Sequence, residues 1–91
     1  MSYRIEFKKS AQKEFLELSR QLQDRTVNAV QLVATNPFSE LIRVKKLRGP
    51  PNLCRIRLGD WRIVYELFED KALLGVVKIG HRKEVYRFLK E

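Results

Sequence analysis

The chain has 91 residues, 44% of them hydrophobic and 33% charged, with a formal net charge of +8 and a pI of about 10.0. This length supports one domain with a single modest core, so residues 1–91 are read as one unit. No apolar run approaches the roughly 18 residues of a membrane-spanning helix. The N-terminus, with Arg4, Glu6, Lys8 and Lys9, lacks a signal-peptide centre, and the single Cys54 can form no internal disulfide, so a cytoplasmic protein with no membrane partner is expected.

The first element is a strand over residues 2–8, where Tyr3, Ile5 and Phe7 alternate with Arg4, Glu6 and Lys8. Ser10 then offers a cap for a helix over about 10–21, whose apolar stripe is Ala11, Phe15, Leu18 and Leu22. A second helix takes Asp24 as its cap and Val27, Val30, Val33 and Ala34 as its stripe. It ends at Asn36-Pro37, because the residue before proline avoids helical geometry. From Phe38 to Asn52 the chain is basic and broken by Gly49-Pro50-Pro51-Asn52, which reads as a loop with a short extended piece at 42–47.

Strands follow at 53–58 and 61–68, joined by a Gly59-Asp60 turn in which Gly59 supplies the positive φ. Glu69-Asp70-Lys71 turns the chain into a third strand at 72–80, with Val77 and Ile79 on its apolar side and Lys78 beside Arg62. Residues 83–90 place Val85, Phe88 and Leu89 at the spacing of a short docking helix. These elements predict an α+β fold: a small antiparallel β-sheet of about four strands, with the N-terminal helical hairpin packed on one face and a short C-terminal helix.

The hairpin carries the chemistry. Its turn pairs Leu58 with Trp61, Arg57 with Arg62, Ile56 with Ile63 and Arg55 with Val64, so Arg55, Arg57 and Arg62 share one face while Cys54, Ile56, Leu58, Trp61, Ile63 and Tyr65 face the core. Like charges opposite one another destabilise a sheet. Arginines kept there are suited to an anion, and the guanidinium fork fits phosphate. The wider charge pattern agrees: residues 1–40 hold six basic against five acidic side chains, and residues 41–91 hold thirteen against six. Arg82 emerges at the end of the third strand and Tyr86 lies one helical turn beyond it, so both can point to one place. Lys45, Lys46 and Arg48 are loop cations able to track a phosphate backbone, and Lys78, His81 and Lys83 flank the same region. The expected result is an open basic groove on the face away from the helices.

A metal-dependent nuclease would need clustered carboxylates or histidines, which the motifs do not offer, so no metal and no cofactor are expected. One histidine excludes a two-histidine ribonuclease and gives no support to a Ser-His-Asp or Cys-His site. Cleavage remains in which cations stabilise a pentacoordinate phosphate while an RNA 2′-hydroxyl attacks.

Lys46-Leu47-Arg48-Gly49, Cys54-Arg55-Ile56-Arg57-Leu58, Trp61-Arg62-Ile63-Val64-Tyr65 and Gly80-His81-Arg82-Lys83-Glu84-Val85-Tyr86 together resemble the successive motifs of RelE-type toxins of bacterial toxin–antitoxin systems. The resemblance runs over nearly the whole chain. It implies a toxin that enters the ribosomal A site and cuts the bound mRNA without metal. It also implies neutralisation by a cognate antitoxin, with operator DNA met only through that antitoxin. It assigns catalytic roles to Arg55, Arg57, Arg62, Arg82 and Tyr86, and RNA contact to Arg48. Some members carry lysines where this chain has Arg55 and Arg57. Arginine does not give up its proton, so the general base falls to Tyr86, His81 or a ribosomal group. Two other functions fit a basic chain of this pattern: a ParE-type toxin that inhibits DNA gyrase, and a non-catalytic nucleic-acid-binding module.

Overall fold

The computed structural model describes residues 3–36, 44–46 and 53–90. The chain runs β1 (Arg4–Phe7), α1 (Lys9–Leu16), α2 (Arg20–Thr35), β2 (Val44–Lys46), β3 (Leu53–Leu58), β4 (Trp61–Phe68), β5 (Leu73–His81) and α3 (Arg82–Lys90), with a 3₁₀ turn at Glu69–Lys71 before β5. The five strands form one sheet in the order β1-β5-β4-β3-β2. The fold is α+β as expected, with the meander β2 to β5 antiparallel throughout. One difference lies at its edge. β1 adds to β5 in parallel, Arg4 opposite Leu73 and Phe7 opposite Val76, so the sheet is mixed.

The helical hairpin divides earlier than apolar spacing suggested, because its stripe continues across a break that spacing cannot show. α1 stops at Leu16, and its N-terminus at Lys8 has no side-chain cap, leaving Ser10 inside the first turn. Ser19 starts α2, its hydroxyl accepting from the Leu22 amide at 3.2 Å, while Asp24 lies within the helix. This side-chain oxygen satisfies an amide that has no partner within the helix. The Gln23 side-chain Nε2 donates to the Phe15 carbonyl at 3.1 Å and ties the two helices together. α2 ends at Thr35, as Asn36-Pro37 predicts, and the Tyr3 amide donates to the Ala34 carbonyl at 2.7 Å, fixing the end of α2 beside β1.

Two cores result. Ala11, Ala29, Val30, Val33 and Ala34 pack on Cys54, Ile56, Ile63, Tyr65, Leu74, Val76 and Ile79, with Tyr65, Ile56, Ile63 and Leu74 fully buried. Each such side chain contributes roughly 1.5–3 kcal/mol by leaving water. On the opposite face Val64, Val77 and Val85 are buried together, with Leu53 and Leu89 against them. That second cluster docks α3 on the sheet, so the basic face is not open along its whole length. Its origin is a register shift between Val64 and Tyr65: Tyr65 pairs with Val76 but Val64 pairs with Lys78. The extra residue turns Val77 to the α3 face and leaves Ile79 on the core side, whereas unbroken alternation would put both on one face as the sequence suggested.

Candidate functional site

The β3–β4 hairpin has the register its turn dictates: Leu58 opposite Trp61, Arg57 opposite Arg62 and Arg55 opposite Val64. Gly59 takes a φ of 60° in the two-residue turn. Arg62 is only 8% exposed, yet among the described residues no carboxylate is hydrogen-bonded to it. Its Nη1 donates to the Gly59 carbonyl at 2.6 Å and the Trp61 carbonyl at 2.9 Å, which fixes the guanidinium plane against its own turn. Burial lowers its pKa from the ordinary arginine value, and Arg57, Arg55 and Arg82 lower it further, with Asp60 partly opposing. The charge persists at neutral pH, because arginine stays protonated. Four guanidinium groups therefore share one field and repel one another.

α3 brings the remaining groups. The Arg82 amide donates to the Asp60 carbonyl at 2.8 Å, joining the hairpin tip to the start of the helix. Gly80 allows this close seating, since a Cβ there would lie 3.1 Å from a Glu84 carboxylate oxygen and 3.5 Å from Val85. Tyr86, one turn after Arg82, is 61% exposed. Between α3 and the hairpin lies a cleft of about 460 Å³ lined by Arg55, Arg62, Arg82, Lys83, Val85, Tyr86, Arg87 and Leu89. Within it the Arg55 Nε–H is buried and has no hydrogen-bond partner among the described residues, which leaves a donor directed at the cleft.

The sequence-derived candidates divide accordingly. Arg55, Arg62, Arg82, Lys83 and Tyr86 line the cleft; Arg57 lies exposed beside it, opposite Arg62. His81 is elsewhere: it pairs with Trp61 across the strands, their rings edge to face at 6.1 Å, on the side of the sheet away from the cleft. Lys78 is committed to an ion pair with Glu14 of α1. The side chains of Lys45 and Lys46, and all of Arg48, lie outside the described residues. Arg87 was not among the candidates. It falls one helical turn after Lys83 on the row that also carries Arg82 and Tyr86, and this spacing was the available signal.

The family model described as the ParE toxin of type II toxin–antitoxin systems matches residues 5–86. The chain belongs to that toxin family. It is also similar to RelE-like toxins. The toxin is 28% identical over 95 residues to a RelE-like toxin protein of Escherichia coli, covering 100% of this chain and 97% of the relative. Among solved structures, the toxin superposes on a free mutant form of E. coli RelE with a TM-score of 0.80 at 28% identity, covering 96% of this chain and 93% of the other. It superposes on the archaeal RelE–RelB complex of Pyrococcus horikoshii with a TM-score of 0.78 at 27% identity, covering 90% and 97%. The sheet with helices on both faces is thus the RelE fold, and no helix of the toxin among the described residues is long and apolar enough to cross a membrane.

Proposed function

We propose that this toxin is a ribosome-dependent endoribonuclease that cuts mRNA in the A site and so inhibits translation. The observation that carries the reading is the buried Arg62 guanidinium, with Arg55, Arg57 and Arg82 all close enough to depress its pKa. A phosphodiester entering the cleft relieves that repulsion. A pentacoordinate phosphate, which gains a further negative charge, relieves it more. The chemistry is attack of the 2′-hydroxyl on the adjacent phosphorus, with departure of the 5′-oxygen, leaving a 2′,3′-cyclic phosphate and a 5′-hydroxyl.

In this mechanism Arg62, held by its two backbone carbonyls, and Arg55, whose Nε–H has no partner among the described residues, grip the phosphate from the sheet. Arg82 closes on it from α3, and Arg57 adds charge from the rim. Their contribution is position and field, not proton transfer. With His81 turned to Trp61, the proton of the 2′-hydroxyl falls to Tyr86, which lines the cleft beside Lys83, or to a group the ribosome supplies. The partners are the ribosome with its mRNA and a cognate antitoxin, as the RelE–RelB assemblies of the relatives suggest, with operator DNA reached through the antitoxin. The site of action is the cytoplasm.

The description of the matching family as ParE favours a second reading, inhibition of DNA gyrase with no RNA cleavage. One experiment separates the two. The toxin is induced in cells and mRNA 5′ ends are mapped by primer extension. Cuts confined to translated regions, absent from Arg82→Ala and Tyr86→Ala, support the nuclease. A DNA-damage response with intact mRNA supports the gyrase reading and refutes the first.

A further inference from the structure

α3 carries Arg82 and Tyr86, and its start is tied to the hairpin by the Arg82 amide on the Asp60 carbonyl. It is a nine-residue helix, too short to persist alone, and its buried anchor is Val85, with Leu89 half-buried. The sheet adds one more attachment through the register shift at Val64. That shift follows Val77, which packs against Val85, directly with Lys78. The Lys78 ammonium donates to a Glu14 carboxylate oxygen on α1, and it lies 5.7 Å from the centroid of the Phe88 ring on α3. The other Glu14 oxygen accepts from the Ile79 amide at 3.1 Å, just beyond Val76, where β1 stops pairing with β5. Lys78 and Glu14 are each about one-fifth exposed, so water screens the pair only in part.

We propose that Lys78 is a positioning residue: with Glu14 behind it and the Phe88 ring before it, it holds α3 on the sheet and keeps Tyr86 and Arg82 over the hairpin arginines. It meets no RNA itself. The carboxylate of Glu14 neutralises its charge and the edge of β5 fixes its direction, so one ammonium links α1, β5 and α3. The inference rests on the nuclease reading for what α3 does once it is held, but not for the holding itself.

The test uses the full chain in four forms: wild type, Lys78→Met, Glu14→Gln and Lys78→Arg. Amide hydrogen exchange over residues 83–89 reads the docking directly, and ribosome-dependent mRNA cleavage reads its consequence. Lys78→Met and Glu14→Gln are expected to speed α3 exchange about tenfold while β3 and β4 stay protected. The kcat is expected to fall by a similar factor with KM within about twofold, and combining the two substitutions should do no more than either alone. Lys78→Arg restores both readouts. Unchanged exchange in α3 overturns the proposal. So does a Lys78→Met variant with raised KM and a salt slope shallower by about one unit, with Glu14→Gln unaffected, since that pattern belongs to a phosphate contact. If the wild type cuts no mRNA, the nuclease reading fails and exchange alone decides the role of Lys78.

Discussion

Replacing Arg57 by glutamine should make the toxin more stable while weakening its anion site. Arg57 and Arg62 stand opposite each other one pair away from a two-residue turn, at a position without backbone hydrogen bonds between the pair. There the Cα atoms approach to about 4.5 Å and side chains meet most closely. Like charges so placed cost up to about 1 kcal/mol. Arg57 is exposed, so solvent screening keeps its share to about 0.2–0.5 kcal/mol. For a domain of this size that corresponds to a rise in Tm of roughly 1–4 °C. Thermal unfolding at low ionic strength reads it, and the difference should shrink in about 1 M salt, where the screening length is near 3 Å. Inorganic phosphate should reverse the order: it stabilises the wild type by about 1.4 kcal/mol at ten times its Kd, and Arg57→Gln by less at the same concentration. A variant that melts below the wild type in low salt, or that gains as much from phosphate, would refute the claim that these arginines are held against their own repulsion.

Further outcomes follow from other parts of the fold. Ala72 has a φ of 48°, a left-handed conformation that costs a non-glycine residue about 1 kcal/mol; Ala72→Gly should raise the midpoint of urea unfolding with an unchanged slope. Gly80→Ala should lift the N-terminal turn of α3 by pressing on the Glu84 carboxylate, and the loss should register as weaker protection of α3 and slower cleavage with little change in overall circular dichroism. The Tyr65 phenol is held above its ordinary pKa, first by burial and then by the Cys54 thiol beside it. The unfolded chain therefore loses that proton first, and stability present below about pH 10 should fall as pH rises, by up to about 1.4 kcal/mol per unit. Tyr65→Phe should flatten that alkaline slope, which denaturant titrations at successive pH values would measure.

What could be read before the fold was known follows from how local each determinant is. The Gly59-Asp60 turn fixes the hairpin register by itself, so the pairing of Arg57 with Arg62 and of Arg55 with Val64 was legible to the residue. Period-2 alternation likewise identified β1, but gave no direction of pairing, and its parallel partner β5 is distant in sequence. The irregularity at Val64 was invisible for a different reason: alternation assumes two residues per repeat, and one inserted residue sent Val77 to the α3 face and Lys78 toward Glu14. The helix break at Ser19 was hidden because apolar spacing survives it. In the site, Arg55, Arg62, Arg82 and Tyr86 converged as spacing implied. His81 did not, because the last residue of a strand points by strand parity and not by nearness to Arg82 in sequence.

The position of β5 sets how the chain must fold. It lies between β1 and β4, so the first strand of the sequence has no neighbour until the last strand is in place. The contact between Arg4 and Leu73 closes a loop of about three-quarters of the chain, and such non-local pairings are paid for in entropy before they are rewarded, which makes folding slow. A nascent chain lacking β5 has neither a central strand nor a seat for α3. The arginine cleft, with α3 as one wall, is therefore incomplete in any chain that lacks β5.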